Sequence, residues 1–314
     1  MLDGAVTGLD RLPVVAAVVV NWHRPGDTLK ALSSLASMNP AANLFICVEN
    51  GNDAGETAQV RKAAPAGTVL IELAENNGFA GAVNIGVTRA IEAGAQWVLL
   101  LNNDAVALPE CIGRCLIDAE QSPRTAAVGP AIAFAEDPSR LWYAGGEVSS
   151  WFAFTRHRGL LKSAANPPPS SETAFVTGCC MLISVEAWNE IGPFRADYFA
   201  YYEDAEWCQR AQAQGWITRY VGEVLCLHAV SASAEQRGSL GLSVTSAYYL
   251  GRNPVRFALD TKSLPHRVSR VVGLMTVWNA YNAWRLLQGK RIAPAFAYLQ
   301  GLQDAFRNRM GPKS

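Results

Sequence analysis

The chain has 314 residues, half of which are hydrophobic, and its formal net charge is zero. This length supports one large α/β domain or two small ones with a substantial core. The neutral charge excludes a general nucleic-acid-binding protein, which would carry a basic surface. Seven cysteines occur without a CxxC pair, which favours free, mostly buried thiols in a reducing cytoplasm. The first residues lack the basic and then apolar pattern of a signal peptide.

Strand and helix patterns alternate over the first 120 residues. Four apolar runs predict β-strands, at residues 14–20, 44–48, 69–73 and about 97–101. Asp27 is a candidate cap for a helix that reaches about Met38, and residues 80–93 have helical periodicity. This alternation predicts an α/β fold with a Rossmann-like, mostly parallel sheet flanked by helices.

Asn-rich loops follow these strands, and they are the first indication of a site. Because parallel strands end at one edge of a sheet, the polar side chains of these loops should converge. The tripeptide Asn102-Asn103-Asp104 closes the most strand-like run and adds a carboxylate. Such a carboxylate can hold a divalent metal against a diphosphate. The alternative is an ordinary turn, since Asn and Asp are common turn residues.

The second half of the chain is less regular. Residues 135–175 predict a long, partly mobile excursion, and strand patterns return at 174–184 and at about 218–227. Glu203-Asp204 begins a predicted helix, and His228 ends the last strand. From residue 255 to 314 there are ten Lys and Arg residues but two acids, for a net charge of +8. The apolar positions there, including 271–287, predict amphipathic helices rather than a membrane span.

Asp104, Asp204 and His228 form the candidate catalytic constellation, because each lies at a predicted strand end or helix start. Asp104 and His228 together suit Mn²⁺ or Mg²⁺. Each has a structural alternative: His228 can be a hydrogen-bonded core residue, and Glu203-Asp204 can complement a helix dipole. The glycines match neither GxGxxG nor a P-loop, and GxSxG is missing, which argues against dinucleotide-binding proteins and α/β serine hydrolases.

Several segments, in order over residues 13–257, resemble family 2 glycosyltransferases, specifically the bacterial rhamnosyltransferase-like branch. They are VVVNWHRP, ICVENGNDAGE, ENNGFAGAVNIGVTRA, VLLLNNDA, FVTGCCMLI, IGPFRADYFAYYEDAEWCQRAQAQGW and the pair LHAVSAS and YYLGRNPVRF. The resemblance implies the GT-A fold. It also implies a glycosyltransferase domain at 1–257, with a nucleotide-binding half at about 13–120 and an acceptor-binding half at about 121–257. The charge and apolar spacing described above make 258–314 a separate basic amphipathic helical segment.

The resemblance assigns roles residue by residue. Asp104 and His228 would bind the Mg²⁺ or Mn²⁺ cofactor, and Asp204 would be the general base. Gly178 and Glu203 would lie on the sugar and acceptor side. The nucleotide-sugar donor would be held by Asn21, Glu49, Asn76, Asn77, Gly78, Asn84, Asn102, Asn103 and Arg252. Two departures stand out: the usual Asp-x-Asp is Asn102-Asn103-Asp104, and Glu49 replaces the more common Asp.

The implied activity is inverting transfer of a sugar from dTDP-rhamnose, or from a UDP- or GDP-sugar, to a saccharide or lipid-linked acceptor in cell-surface polysaccharide synthesis. Two alternatives stay open. A nucleotidyltransferase that makes sugar nucleotides would need a Gly-rich basic loop after the first strand, which Asn21 to Pro25 match poorly. A non-catalytic glycan-binding subunit of the same fold is favoured by the missing first carboxylate of the metal motif. The basic segment 258–314 predicts either contact with a membrane surface or packing on the domain or in a homodimer.

Overall fold

A computed structural model describes residues 13–149, 155–229, 243–260 and 292–313. The strands are β1 (Val15–Asn21), β2 (Leu44–Asn50), β3 (Val69–Leu73), β4 (Trp97–Asn102), β5 (Ala105–Ala107), β6 (Thr125–Phe134), β7 (Leu141–Tyr143), β8 (Gly146–Val148), β9 (Thr155–His157), β10 (Ser171–Glu172), β11 (Cys180–Ser184) and β12 (Ile217–His228). The helices are α1 (Pro25–Ala36), α2 (Ala54–Ala63), α3 (Gly78–Glu92), α4 (Cys111–Ala119), α5 (Val185–Ile191), α6 (Glu203–Ala213), α7 (Val244–Leu259) and α8 (Ile292–Phe306), with a 3₁₀ turn at Ala196–Tyr198.

One mixed sheet organises the described residues, in the strand order β10-β12-β6-β11-β4-β1-β2-β3. Strands β3, β2, β1 and β4 are parallel neighbours, which confirms the predicted α/β series. Strand β11 is antiparallel to both β4 and β6, and β12 runs parallel to β6. The carboxyl ends of β1, β2, β4 and β12 therefore meet at one edge of the sheet, where open α/β folds bind ligands.

The core lies between this sheet and the helices on its two faces. The Leu99 to Leu101 run of β4 is at most 2% exposed, because helices cover the central strands on both sides. Burying each such side chain stabilises the fold by about 1.5–3 kcal/mol. All seven cysteine thiols are free and buried, as predicted.

Three sequence-based boundaries differ from the structure. Helix α1 begins at Pro25, so Asp27 lies in its first turn and pairs with Arg24 and Lys30 rather than capping it. The strand predicted from residue 174 begins at Cys180. The predicted excursion at 135–175 contains the short strands β7 to β10, which pair with β6, with β12 or with each other.

Helices α7 and α8 form a closely packed pair. A side chain at Gly251 would overlap the Tyr298 carbonyl, and one at Gly301 would overlap that of Tyr248, so both glycines are needed for this approach. Helix α7 crosses the predicted boundary at residue 257, and the division at that point stays a prediction. The amphipathic pattern predicted for 271–287 lies outside the described residues.

Candidate active site

Asp104 and His228 meet at the carboxyl edge of the sheet because of strand pairing. Strand β5 pairs with the end of β12 so that Ala105 lies opposite His228. This register places Asp104, the residue before β5, beside the imidazole, and His228 Nε2 lies 3.0 Å from Asp104 Oδ1. The Ala229 N–H donates to the Asp104 carbonyl over 2.8 Å and closes the pairing.

The Asp104 and His228 pair fits a divalent metal. Oδ1 and Nε2 are hydrogen-bonded to each other at 3.0 Å. The same spacing would let both atoms bind one octahedral ion with ligand distances of about 2.1 Å. Both side chains remain slightly accessible, at 15% and 10%. Within the described ranges no cluster of three or more His, Cys, Asp or Glu side chains could hold a metal. The protein would therefore supply two ligands, and donor phosphates and water would complete the coordination.

Trp142 fixes the far side of His228. The two rings meet edge to face with centroids 4.3 Å apart, and Trp142 also lies edge to face on His157 at 4.4 Å. Burial lowers the pKa of His157 to about 4, so this ring is neutral near pH 7. In the described part of the chain, buried Nδ1 of His228 has no hydrogen-bond partner. Ring packing and the contact of Nε2 with Asp104 therefore orient the imidazole.

Asn21 and Glu49 form a buried network at the ends of β1 and β2. Asn21 Nδ2 donates to Glu49 Oε2 over 3.0 Å, while Asn21 Oδ1 accepts from Thr28 Oγ1 over 2.8 Å. Asn52 Nδ2 also donates to Glu49 Oε2. Glu49 is 1% exposed. The two predicted nucleotide residues thus brace the loops at this edge, and Asn103 Nδ2 reaches the same network at Thr28 Oγ1, 3.4 Å away.

The turn Asn76-Asn77-Gly78 starts α3 and is held by Asn50. Asn50 Oδ1 accepts from the Asn77 N–H over 2.9 Å, and its Nδ2 donates to Asn76 Oδ1 over 3.0 Å. Gly78 has φ +72°, and a side chain there would overlap the carbonyl and ring of Phe199. The donor-side turn therefore touches the segment that leads to Asp204.

Asp204 lies in the first turn of α6 and is bound to the strand end beside the metal segment. The Gly178 N–H donates to Asp204 Oδ2 over 2.9 Å. The adjacent Cys179 carbonyl accepts from the N–H of Asn102 over 2.9 Å. A side chain at Gly178 would stand 3.1 Å from the Phe79 ring. Consecutive residues of one strand end thus connect the predicted base with the predicted metal segment.

Two adjacent carboxyl groups at the start of α6 have raised pKa values. Burial raises the pKa of Asp204, although hydrogen bonds from the Gly178 and Ala205 N–H groups oppose the shift. Burial raises the pKa of Glu203 well above its usual range, and the charge of Asp204 adds to that. Glu203 is 5% exposed, and its Oε2 has no partner among the described residues. A carboxyl with a pKa shifted towards neutrality is suited to proton transfer.

The loop before α6 has a strained backbone. Phe199, Tyr201 and Tyr202 have φ values of 67°, 70° and 73°, a region that bulky residues rarely adopt. Each such residue costs about 1–3 kcal/mol and persists only where surrounding contacts impose it. Such strain is concentrated at functional sites, and here it immediately precedes Asp204.

Two residues predicted to contact the donor have other partners. Asn84 binds the backbone of Phe194 through both ends of its amide, at 2.8 and 3.0 Å. Arg252 is completely buried and donates to carbonyl oxygens of Asp197, Tyr198 and Gly311. A diphosphate would have to displace these carbonyls from Arg252. Both side chains support the backbone around the site in this structure, and their contact with the donor stays a prediction.

Asn50 and Asn253 are important residues that the sequence analysis did not single out. Asn50 is the last residue of β2, at the start of a turn-rich segment, and Asn253 follows Arg252 directly. The sequence signal that could have identified them is their position in an Asn-rich segment or beside a motif residue. Their partners are distant in sequence, so spacing alone could not identify them.

Comparison with known proteins decides the family. The family model described as "Glycosyltransferase like family 2" matches residues 13–243. The chain belongs to this glycosyltransferase family. It is 28% identical over 243 residues to an N-acetylglucosaminyl-diphospho-decaprenol L-rhamnosyltransferase of Mycobacterium tuberculosis, covering 70% of this chain and 76% of that protein. It is 23% identical to the dTDP-rhamnosyl transferase RfbF of Shigella flexneri, covering 76% and 78%.

A solved structure shows the same fold. A mannosyltransferase from Pyrobaculum calidifontis, in complex with GDP-Man and Mn²⁺, superposes with a TM-score of 0.56 at 17% identity. The match covers 94% of this chain and 76% of that one. It confirms the GT-A fold predicted for this family 2 glycosyltransferase. No helix in the described ranges is long and apolar enough to cross a membrane.

Proposed function

We propose that this glycosyltransferase moves a sugar from a nucleotide-sugar to a hydroxyl group of a saccharide or lipid-linked acceptor, with inversion at the anomeric carbon. dTDP-rhamnose is the preferred donor, ahead of UDP- and GDP-sugars. The product would belong to a cell-surface polysaccharide. Both rhamnosyltransferase relatives support the donor sugar, and the polyprenyl diphosphate in the name of the mycobacterial relative supports the acceptor class.

One observation carries this proposal: the strand end at Gly178 and Cys179 joins Asp204 to the Asp104 segment. The hydrogen bonds from Gly178 to Asp204 and from Asn102 to Cys179 are both 2.9 Å long. The proposed base Asp204 and the segment that carries the proposed metal ligand Asp104 are therefore hydrogen-bonded to consecutive residues, Gly178 and Cys179. This arrangement suits a reaction in which a hydroxyl attacks on one side of a sugar while a diphosphate leaves on the other.

Asp204 would accept the proton of the acceptor hydroxyl as its oxygen attacks the anomeric carbon. The raised pKa of Asp204 strengthens it as a base. Glu203 and Gly178 would border the sugar and acceptor. The network of Asn21 and Glu49 and the turn at Asn76 to Gly78 would shape the donor cleft, and Asn102 and Asn103 would face the diphosphate. Orientation by these groups supplies a large part of a two-substrate rate gain.

Asp104 and His228 would hold the divalent metal, Mg²⁺ or Mn²⁺. When bound, the metal would neutralise charge that develops on the departing diphosphate. The 3.0 Å separation of the two ligand atoms supports this assignment. The Mn²⁺ in the related mannosyltransferase structure supports it as well.

Release of nucleoside diphosphate tests the proposed function. The full-length protein would be incubated with dTDP-rhamnose, UDP-sugars or GDP-sugars, with and without Mn²⁺ and a polyprenyl-diphosphate saccharide acceptor. Two results together support inverting transfer. Release of dTDP should depend on the acceptor, and the anomeric configuration of the sugar in the product should be opposite to that in the donor. Absence of release from every donor would contradict it, and formation of nucleotide-sugar from a sugar phosphate would indicate a nucleotidyltransferase.

We further propose that the C-terminal segment contacts the cytoplasmic surface of a membrane that carries the acceptor. Four apolar side chains of α8 recur at helical spacing and are 52–71% exposed, namely Ile292, Phe296, Leu299 and Phe306. The surrounding segment has a net charge of +8. An apolar stripe with basic neighbours suits an anionic lipid surface.

Vesicle sedimentation tests this surface. The wild type should sediment with vesicles that contain phosphatidylglycerol and should dissociate from them at high salt. The Phe296→Ser and Leu299→Ser double variant should lose this binding. Sedimentation equally weak for both proteins would contradict membrane contact. A wild-type dimer that the double variant converts to a monomer would instead assign α8 to a homodimer interface.

A further inference from the structure

The strained loop before Asp204 is held by two buried residues of α7. Loop residues 197–202 include the three positive φ values at Phe199, Tyr201 and Tyr202. Arg252 and Asn253 are both 0% exposed and direct their polar atoms at this loop. Phe199 also stacks on Tyr249 of α7, with ring centroids 5.2 Å apart.

Asn253 gathers three carbonyl groups of the loop. Its Nδ2 lies 3.0, 2.7 and 2.8 Å from the carbonyl oxygens of Tyr198, Ala200 and Tyr201. An amide nitrogen has two N–H donors, so the three carbonyls share them. Arg252 Nε donates to Asn253 Oδ1 over 2.9 Å, which fixes the amide with its nitrogen towards the loop.

Arg252 adds contacts to the same loop and links it to the segment after α8. Its Nη2 donates to the carbonyls of Asp197 and Tyr198 at 3.1 and 2.8 Å, and its Nη1 donates to that of Gly311 at 2.6 Å. The Gly311 N–H in turn donates to the Asp197 carbonyl over 2.7 Å. The guanidinium group therefore ties the loop, α7 and the segment after α8 together.

The loop also touches both sides of the proposed cleft. Its Phe199 carbonyl accepts from the Ala80 N–H over 3.3 Å at the start of α3, and the Phe199 ring packs on Gly78. Four residues after Phe199 the chain enters α6, which carries Asp204. A change in the loop would consequently move the base relative to the donor turn.

We propose that Arg252 and Asn253 are positioning residues for Asp204. Buried carbonyl groups require donors, and these two side chains supply them only when the loop keeps its left-handed conformation. Without them the loop would relax towards ordinary φ values and turn the first residues of α6. This inference rests on the role of Asp204 as the base in the proposed function.

Asn253→Asp and Arg252→Lys test the inference. In Asn253→Asp an oxygen replaces Nδ2 and repels the three carbonyls without a change in size. In Arg252→Lys the charge remains, but a single ammonium group cannot reach all the partners of the guanidinium fork. Tyr248→Phe is the control within α7, because it removes a buried 2.9 Å bond to Asp304 of α8 and none to the loop, and it keeps the ring over which the Arg252 guanidinium lies at 5.4 Å.

We expect kcat for transfer to fall by about 100-fold in Asn253→Asp, since a small misplacement of a catalytic group has this effect. The Kd for the donor should change by less than about threefold. The acid limb of the pH profile of kcat should shift, because the surroundings of Asp204 change. Tyr248→Phe should lower the Tm without altering kcat or the pH profile. Arg252→Lys should behave as a milder form of Asn253→Asp.

Hydrogen–deuterium exchange over residues 197–206 provides a second measurement that needs no activity. It should accelerate in Asn253→Asp and Arg252→Lys but match the wild type in Tyr248→Phe. Folded Asn253→Asp protein with wild-type kcat, pH profile and exchange would overturn the inference while leaving the proposed function intact. If the wild type transfers no sugar, the proposed function fails, and unchanged exchange over 197–206 would then overturn the positioning role independently.

Discussion

Asp204 accepts hydrogen bonds from the N–H groups of Gly178 and Ala205, over 2.9 Å at Oδ2 and 2.7 Å at Oδ1. Both bonds favour the charged carboxylate, and burial opposes them. Burial has the larger effect, so the pKa of Asp204 is raised. The two bonds fix the orientation of the carboxylate, while the loss of solvent increases its basicity. Geometry and proton affinity therefore have separate structural causes at this residue.

Asp204→Asn should lower kcat for transfer by about 10²–10⁴-fold, because a positioned general base contributes that much. Donor binding, measured by calorimetry, should stay within about threefold, because the amide keeps the size of the side chain. In the wild type, activity should fall as pH decreases through the raised pKa of Asp204, so the acid limb should lie above the ordinary value of 3.8. Glu206→Gln is the control, since it removes a buried carboxylate of the same helix that pairs with Arg210. Transfer by Asp204→Asn at the wild-type rate would assign the base elsewhere.

Glu203→Gln should raise the Tm at pH 7. The folded-state pKa of Glu203 lies above the ordinary value of 4.5, mainly because of burial. Protonated Glu203 therefore makes its full contribution to the free energy of unfolding below about pH 4.5. This contribution is lost as the pH rises through the raised pKa of the folded state. The stabilisation by Gln should grow with pH over this window and disappear in acid, as thermal denaturation across pH would show. Glu92→Gln, at an exposed position, is the control. A stabilisation in Glu203→Gln that does not vary with pH would contradict this account.

Asn102→Asp should tighten Mn²⁺ binding in the absence of donor by at least about tenfold, because added carboxylate charge strengthens oxygen-ligated metal sites. Asn102 ends β4 two residues before Asp104, where it remains partly exposed. The wild type should bind Mn²⁺ weakly until donor phosphates are present. Electron paramagnetic resonance of free Mn²⁺ measures both affinities. Asn189→Asp, an exposed change in α5, controls for net charge, and equal tightening in that variant would argue against a local effect.

Gly78→Ala should destabilise the protein and also reduce transfer. Gly67 and Gly78 both have positive φ, at 81° and 72°, but a side chain at Gly67 meets nothing within 4 Å. Gly67→Ala should therefore cost about 1–2 kcal/mol for the backbone alone. Gly78→Ala adds overlap with Phe199 and should cost more in urea unfolding. An equal loss of unfolding free energy in the two variants would mean that Phe199 moves aside for the added methyl group without cost.

The strands β1 to β4 could be predicted because each is a mainly apolar run, although β3 is only partly buried. Val69–Leu73 has the predicted bounds, and β12 ends at His228 as expected. The strands β7 to β10 have two or three residues each, too few to show a period. The strand predicted from 174 starts late because the N–H groups of Val176 and Gly178 bind side chains of α6 instead of a neighbouring strand.

The meeting of Asp104 with His228 follows from strand ends at one edge, which alternation in the sequence can reveal. The partners of Arg252 lie in the loop at 197–202 and in the segment after α8. The periodicity of the sequence does not show that these two segments meet. The family resemblance predicted that Arg252 meets the diphosphate, and the structure shows it buried and bound to carbonyl groups. The same applies to Asn84, whose partner Phe194 is 110 residues away.

Phe199 belongs to the second half of the chain in sequence and to the donor turn in space. A chimera that exchanges residues 13–120 for those of a relative with another donor would replace Gly78 but keep the Phe199 that packs on it. Specificity could then be transplanted only together with the 197–202 loop and the α7 residues that hold it. The exchangeable unit in this protein is therefore a set of three separate segments rather than a continuous half of the chain.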